Sequence, residues 1–143
     1  MLIVRFRQTF RERQIEWALA TGATGWGAIL IQNQDVFERP FYQPLERMFP
    51  AAVWGWGMFS LGLLGLVVLF INGAWRRTPF FRQVSSGGRM IAWAGLLFSA
   101  LSVDWQTPGA MIYAMILLME IMAQSNATAD GQRIKSGAMA HGH

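Results

Sequence analysis

The sequence predicts an all-α, polytopic membrane protein with about four transmembrane helices. Apolar runs alternate with basic stretches along its 143 residues, and hydrophobic residues make up 53% of the chain against 14% charged residues. Soluble domains carry about 25% charged residues. A soluble chain of this length also lacks the interior volume to bury seven Trp and ten Phe. We therefore expect lipid to cover much of the surface.

The distribution of basic residues predicts the orientation. All but two of the twelve Lys and Arg residues fall within residues 5–13, 76–89 and 133–135. Cytoplasmic loops of membrane proteins carry an excess of Lys and Arg. We therefore expect a bacterial inner-membrane protein with both termini on the cytoplasmic side. This bias accounts for the net charge of +4 without nucleic acid as a partner. The absence of cysteine excludes disulfides and thiolate metal sites.

Three regions are predicted along the chain. Residues 1–14 are basic, with apolar residues every fourth position, which is typical of an amphipathic helix on the cytoplasmic leaflet; a solvated flank that only orients the first span is the alternative. Residues 15–125 are predicted to form a single transmembrane domain. Residues 126–143 are small and polar, and we expect a flexible cytoplasmic tail. The spans are predicted at residues 15–31, 51–72, 90–104 and 108–123.

Small residues recur along the first two predicted spans. Lipid contact alone favours Leu, Ile and Phe, whereas small residues let the backbones of two transmembrane helices approach closely. These residues are predicted to form the interface of a homo-oligomer: Ala18, Thr21, Gly22, Gly25, Gly27, Gly55, Gly62 and Gly65.

Aromatic and basic residues mark the expected ends of the spans, because Trp and Tyr concentrate at membrane–water interfaces. The lipid-interface anchors are predicted to be Trp54, Trp56, Trp75, Trp105, Arg76 and Arg77. Thr107 suits an N-cap and Pro108 suits the first position of a helix. The third and fourth helices are therefore expected to form a tight hairpin, which either spans the membrane or is re-entrant.

Glu120 is the acidic residue placed deepest in a predicted span. A charge at the membrane centre costs about 2.5–3.5 kcal/mol on insertion scales, so it should face protein or water. Helical geometry puts it on one face with Tyr113 and Gln124, opposite a methionine stripe. Two interpretations stay open. In the first, Glu120, Tyr113 and Glu16 form a pore or proton site. In the second, Glu120 pairs with Arg133, Lys135 or an arginine of residues 76–89, and Glu16 pairs with Arg13 or a nearby arginine.

No pattern of catalytic residues is present. We find no Ser/His/Asp set, no phosphate-binding glycine loop and no zinc-site spacing, and the sequence Ser85-Ser86-Gly87-Gly88 is expected to be a flexible loop. The chain is therefore predicted not to be an enzyme, and no cofactor or metal is expected.

In size, helix number and lack of catalytic residues, the chain resembles phage holins, small proteins that accumulate in the inner membrane and open it for host lysis. The resemblance is organisational, covers the whole chain and involves no specific motif. It implies self-assembly into a lesion, in which the weakly hydrophobic helix 15–31 tolerates both lipid and water. The alternatives are a structural or accessory subunit that binds other membrane subunits, and a small transporter or channel that uses Glu120.

Overall fold

The computed structural model describes residues 13–74 and 79–140, and within these ranges it contains helices and no strand. The all-α prediction is confirmed. Four long helices are present: α1 (Gln14–Gln32), α2 (Ala51–Ala74), α3 (Pro79–Val103) and α4 (Pro108–Ala140). Between α1 and α2 lie two 3₁₀ turns, Gln34–Glu38 and Pro40–Tyr42, and one α-helical turn, Gln43–Glu46.

Two of the four helices are long and apolar enough to cross a membrane by composition. The qualifying stretches are Ala51–Ile71 of α2, with 21 residues, and Pro108–Ala129 of α4, with 22 residues. Both exceed the roughly 20 apolar residues needed to cross the hydrocarbon core. Two such helices weakly support membrane association.

The helix α3 begins at Pro79, eleven residues before the predicted start at residue 90. The segment predicted as a flexible basic loop is helical, including Gly87 and Gly88. Pro79 suits the first turn because its missing N–H would be unpaired there. Gly88 lies close to α2, since an added Cβ would lie 2.6 Å from Leu61 Cδ2, the end of a side chain that can shift.

The helix α4 continues to Ala140, well beyond the predicted end at residue 123. Within the segment expected to be a flexible tail, Ser125 and Thr128 donate hydrogen bonds to the carbonyls of Ile121 and Gln124, four residues back, at 2.9 Å each. Ala127 is buried, and its carbonyl accepts a 3.5 Å hydrogen bond from Gln83 Nε2 on α3. A polar composition suggested disorder, but contacts with α3 keep the segment helical.

The helices pack antiparallel to their neighbours in sequence, and α1 packs mainly against α2 while α3 packs mainly against α4. The α1–α2 contact is close: a Cβ added to Gly62 would lie 2.4 Å from the backbone N of Thr24, and one added to Gly27 would lie 2.3 Å from the backbone N of Phe59. Glycine at these positions lets the two backbones touch.

Residues 33–50 fold over the end of the bundle where α1 ends and α2 begins. Leu45 is fully buried, and its carbonyl accepts a 3.1 Å hydrogen bond from Trp54 Nε1. The hydroxyl of Ser99, near the end of α3, donates to the carbonyl of Phe41. This loop therefore closes one end of the bundle.

Candidate functional site

Six polar side chains from three helices meet inside the bundle and form what we call the polar seam. Each is at most 8% exposed, and Glu120 is completely buried. The members of the polar seam are Glu16 on α1; Arg82, Ser85, Ser86 and Arg89 on α3; and Glu120 on α4.

The spacing along α3 explains how one helix supplies four members. Positions 82, 85, 86 and 89 follow the i, i+3, i+4, i+7 pattern, which places side chains on one face of an α-helix. The buried face of a helix is usually apolar. On α3 this face carries arginines and serines instead, and they contact the glutamates of α1 and α4, so each charge has a partner inside the protein.

The first ion pair joins α1 to α3 through Glu16 and Arg82. Arg82 Nη2 donates to Glu16 Oε1 at 2.6 Å, and Arg82 Nε donates to Glu16 Oε2 at 2.9 Å. This two-pronged geometry gives an arginine–carboxylate pair its directional strength. Sequence analysis named Arg13 or a nearby arginine as the partner of Glu16. In the fold Arg82, which is 66 residues away in sequence, lies beside it.

The second ion pair joins α3 to α4 through Arg89 and Glu120. Arg89 Nε donates to Glu120 Oε1 at 2.5 Å and Arg89 Nη2 to Glu120 Oε2 at 3.1 Å, while the Ser86 hydroxyl donates to Oε2 at 2.9 Å. Of the two interpretations of Glu120, the structure realises pairing with an arginine of residues 76–89. Both carboxylates of the seam are therefore occupied by arginine in this conformation.

A serine extends the seam to the fourth helix. Arg89 Nη1 donates to the hydroxyl of Ser85 at 2.6 Å, and that hydroxyl donates to the carbonyl of Leu61 on α2 at 2.8 Å. The seam thereby links all four long helices through side-chain hydrogen bonds.

A small cavity of about 10 Å³ lies between the two ion pairs. Its walls include Glu16, Arg82 and Arg89, and Gly65 and Ala123 also line it. A volume near 10–15 Å³ is about what one water molecule requires. Gly65 keeps this space open for Arg89, because an added Cβ would lie 2.5 Å from Arg89 Nη1.

Tyr113 lies apart from the seam, although sequence analysis grouped it with Glu16 and Glu120. Its ring stacks against Trp93 with centroids 6.2 Å apart and lies 5.9 Å from the ring of Phe41. Tyr42 belongs to the same aromatic cluster, and its burial raises the pKa of the phenol above the ordinary value of 10.0. Glu120 lies seven residues further along α4, about 10 Å away along the helix axis.

The small residues predicted as an oligomer interface divide into two groups. Gly27, Gly55, Gly62 and Gly65 face the same chain, where an added Cβ would lie 2.3–3.1 Å from the nearest atom. The close approach expected between copies occurs for these four between the protein's own helices, so they are not exposed to a second copy. The second group, Ala18, Thr21, Gly22 and Gly25, is exposed on α1, and Gly22 and Gly25 have open space beside them.

An open groove of about 420 Å³ runs beside this exposed face of α1. Ala18 and Gly22 line one side, Ile116 and Met119 of α4 line the other, and Trp93 also lines it. The groove exists because α1 makes few contacts with α4. The side-chain ion pairs of the described residues run from each of these helices to α3, Glu16 to Arg82 and Glu120 to Arg89.

The predicted lipid-interface anchors also differ in their positions. Trp56 and Trp105 are 56% and 72% exposed, so their rings are on the surface. Trp54 is 9% exposed, and its Nε1 donates a hydrogen bond to the carbonyl of Leu45, so its ring lies under residues 33–50. Trp75, Arg76 and Arg77 lie outside the described residues. The side chains of Arg133 and Lys135 also lie outside what the structure describes.

No family model matches this chain, and no curated protein or solved structure matches it. The polar seam, the groove beside α1 and the exposed surface are therefore the features that bear on its function. Within residues 13–74 and 79–140 no group of three or more metal-ligating side chains is present.

Sequence analysis missed Ser85 and Ser86, and it named the arginines of residues 76–89 only as a group, because this stretch was interpreted as a positively charged loop. A signal was available: two arginines seven residues apart, with two serines between them at the spacing of one helical face. The serine and glycine pairs at residues 85–88 hid this pattern, because such residues are typical of loops.

Proposed function

We propose that the chain is a four-span protein of the bacterial inner membrane that assembles with other copies and opens the membrane, as phage holins do. The observation that carries the proposal is the polar seam. A membrane lesion needs polar groups to line it, and this bundle keeps four ionisable side chains and two serines at its centre.

Ion pairing allows α1 and α3 to lie in a membrane although both helices contain charged residues. The 19 residues of α1 and 25 residues of α3 are about 28 Å and 37 Å long, close to or beyond the roughly 30 Å of the hydrocarbon core. Arg82 and Arg89 lower the mean hydropathy of α3, but both are neutralised by buried glutamates. Charged residues in spanning helices usually pair in this way and face the bundle interior.

The positive-inside rule supports the orientation. The start of α1, the junction of α2 with α3, and the final part of α4 lie at one end of an antiparallel bundle. The basic residues of positions 5–13, 76–77 and 133–135 belong to these parts of the sequence. We place this end, with both termini, in the cytoplasm. Residues 33–50 then lie on the opposite side.

In this arrangement the Arg89–Glu120 pair would lie near the middle of the membrane. The Glu16–Arg82 pair would lie near its cytoplasmic edge, because Glu16 is two residues from Gln14 at the start of α1, or about 3 Å. Glu120 is twelve residues from Pro108 along α4, or about 18 Å, and Leu61 is ten residues from Ala51 along α2, or about 15 Å. Half of the hydrocarbon core is also about 15 Å. In the closed protein the seam is almost dry, with room for about one water.

Opening requires the two helix pairs to separate. The α1–α2 pair and the α3–α4 pair each pack closely, and the contact of α1 with α4 is sparse. Moving one pair away from the other would break the Glu16–Arg82 ion pair, which joins α1 to α3. It would also expose the Arg89–Glu120 ion pair, which lies within the α3–α4 pair, to water. Hydration would then replace the first ion pair, and neighbouring copies would complete the wall of the lesion.

The exposed small residues of α1 are the proposed surface of assembly. Ala18, Thr21, Gly22 and Gly25 offer close backbone approach to a helix of a second copy. Gly22→Leu is expected to abolish the oligomer in detergent, measured by light scattering. The matched control is Gly57→Leu, which also fills open space on a helix but lies outside this surface. Normal assembly of Gly22→Leu would count against the interface.

A reversible cross-link tests the opening step. The chain has no cysteine, and a Cβ at position 88 would lie 3.3 Å from Leu61 Cγ. The sulfur of a cysteine at position 61 would take the place of that Cγ, close enough to bond to a sulfur carried by position 88. The double variant Leu61→Cys/Gly88→Cys would lock α2 to α3. We expect oxidised protein to leave turbidity and membrane potential unchanged in cells holding a cytoplasmic wall-degrading enzyme.

Reduction of the same cells should restore abrupt lysis and collapse of the potential. Each single cysteine variant serves as a control and should lyse cells under both conditions. Lysis by a protein shown to be fully cross-linked would contradict separation of the helix pairs. Absence of lysis and of any change in potential with the unmodified protein would contradict the holin-like function itself.

The burial of Glu120 favours a second candidate, a small transporter or channel that moves protons or cations at this residue. The double variant Arg89→Gln/Glu120→Gln keeps the pair uncharged without leaving one buried charge. Loss of ion flux in vesicles, with assembly intact, would favour the transporter. An unchanged flux would remove it.

A further inference from the structure

A cavity of about 380 Å³ lies at the end of the bundle opposite the polar seam, between residues 33–50 and the end of α3. The loop contributes polar side chains to its lining, Gln43 and Arg47. The helix contributes apolar ones, Phe98 and Val103, together with the hydroxyl of Ser102. The cavity therefore has a polar side and an apolar side, which is the arrangement that an amphipathic ligand requires.

Arg47 gives the polar side its charge. Its side chain is exposed, and no carboxylate of the described residues forms a salt bridge with it. Glu46 is its neighbour in sequence but is not part of the cavity lining. An arginine in such a position can bind a phosphate group with two parallel hydrogen bonds.

Ser102 adds a chemical preference. Its hydroxyl already donates a 2.8 Å hydrogen bond to the carbonyl of Phe98, so its remaining capacity is to accept one. The group that fits beside it is a hydroxyl or another donor. Together with the amide of Gln43, this favours a phosphate ester that carries hydroxyl groups.

The apolar side continues along α3 as an exposed stripe. Phe98, Ile91 and Val84 are seven residues apart, so they share one face, and they are 58%, 74% and 45% exposed. The stripe is about 21 Å long from end to end. That length exceeds the roughly 15 Å occupied by the hydrocarbon of one leaflet, so an acyl chain can lie along it.

We propose that this cavity binds the headgroup of an anionic, hydroxyl-bearing phospholipid, of which phosphatidylglycerol is the type. Arg47 binds the phosphate, Ser102 accepts a hydrogen bond from the glycerol headgroup, and one acyl chain follows the stripe on α3. The proposal rests on the proposed insertion of the bundle in a membrane, which puts the cavity at the headgroup level of the non-cytoplasmic leaflet.

The test is lipid binding by the purified full-length protein in a neutral detergent, followed by native mass spectrometry. Phosphatidylglycerol, phosphatidylcholine, and inorganic phosphate with free glycerol are added separately. We expect retention of phosphatidylglycerol alone. Because one basic residue near a membrane surface contributes about a fivefold gain in affinity for an anionic lipid, Arg47→Gln should weaken binding by about that factor.

Arg39→Gln is the matched control, since Arg39 is an exposed arginine of the same loop that does not line the cavity. It should bind phosphatidylglycerol as the unaltered protein does. Phe98→Ser and Phe80→Ser form a second matched pair on the exposed surface of α3, and only the first should lower lipid retention. Circular dichroism checks that each variant keeps its helix content.

Two results would overturn the proposal. Equal binding by Arg47→Gln and the unaltered protein would show that the cavity does not bind the phosphate. Competition by inorganic phosphate at equal concentration would identify a small-anion site instead of a lipid site. Binding in detergent is independent of lysis, so retention of lipid without lysis would reject only the proposed function, and lysis without retention would reject only the lipid site.

Discussion

The bundle is held together differently in its two halves. In the seam half, which contains the polar seam, the helices are joined by ionised side chains: Glu16 to Arg82 and Glu120 to Arg89. In the loop half, which lies under residues 33–50, they are joined by aromatic rings and by neutral hydrogen bonds from Trp54 and Ser99 to loop carbonyls.

The difference follows from what each half must bury. Aromatic and neutral groups cost little to remove from water once each donor has an acceptor. Ionised groups cost several kcal/mol each, and pairing roughly offsets that cost without a large gain. The loop half therefore contributes stability, while the seam half adds specificity of packing and retains groups that water can solvate if the helices separate.

The largest expected effect comes from breaking one ion pair of the seam half. Arg89→Met leaves Glu120, which is 0% exposed, as an uncompensated buried charge. We expect a loss of about 3–5 kcal/mol in the free energy of unfolding, measured by denaturant titration in detergent. The double variant Arg89→Met/Glu120→Leu should recover most of it. A double variant as unstable as the single would show that the pair itself supplies the stability.

The second-largest loss of stability is expected from a substitution at the contact between α1 and α2. Gly62→Ala puts a methyl group 2.4 Å from the backbone of Thr24, and overpacking of this kind costs about 1–3 kcal/mol. The matched control is Gly57→Ala on the same helix, which has nothing within 4 Å. That control should gain about 0.5–1 kcal/mol, since alanine favours a helix more than glycine does. Thermal unfolding of both variants measures the difference.

A smaller effect is expected in the loop half. Ser99 is fully buried, and its hydroxyl donates to the carbonyl of Phe41. Ser99→Ala should cost about 1 kcal/mol, the usual contribution of a neutral hydrogen bond. Ser102→Ala, on the same helix but exposed, should leave the unfolding free energy unchanged. A similar loss in both variants would mean that the contact with the loop does not determine the result, since alanine favours a helix more than serine does.

The smallest effect is a pH dependence from Tyr42. Burial raises the pKa of its phenol above 10.0 in the folded protein, so the folded state keeps a proton that the unfolded state loses. Its contribution to stability is complete below pH 10 and is lost as the pH rises through the folded pKa. Tyr42→Phe should flatten the fall in stability above pH 10, followed by circular dichroism. An identical fall in both proteins would exclude Tyr42 as its source.

Several features of the fold could be predicted from single positions and periodicity. The all-helical class follows from the apolar runs and their length. The prediction that Glu120 lies on the face of α4 that turns away from the methionine stripe agrees with its burial, since Glu120 is buried and Met111 and Met115 are 71% and 56% exposed. Such faces can be predicted because the angle between successive residues of a helix is constant.

The site could be predicted only in part. Glu16 and Glu120 were selected because an acid in an apolar run demands an explanation. Their partners Arg82 and Arg89 were assigned to a loop, because charge and glycine in a local window are typical of loops. Pairing over 66 and 31 residues of separation is a tertiary event, and no local pattern contains it.

By itself the sequence determined that the chain is helical, which runs are apolar, and that acids lie within them, since these depend on composition and on local geometry. Only the tertiary structure decided which glycines allow the close approach of α1 and α2 and which remain exposed on α1. It also decided that residues 79–89 form a helix. The physical reason is shared: whether a small or charged residue is tolerated at a position depends on the atoms that another helix brings to it.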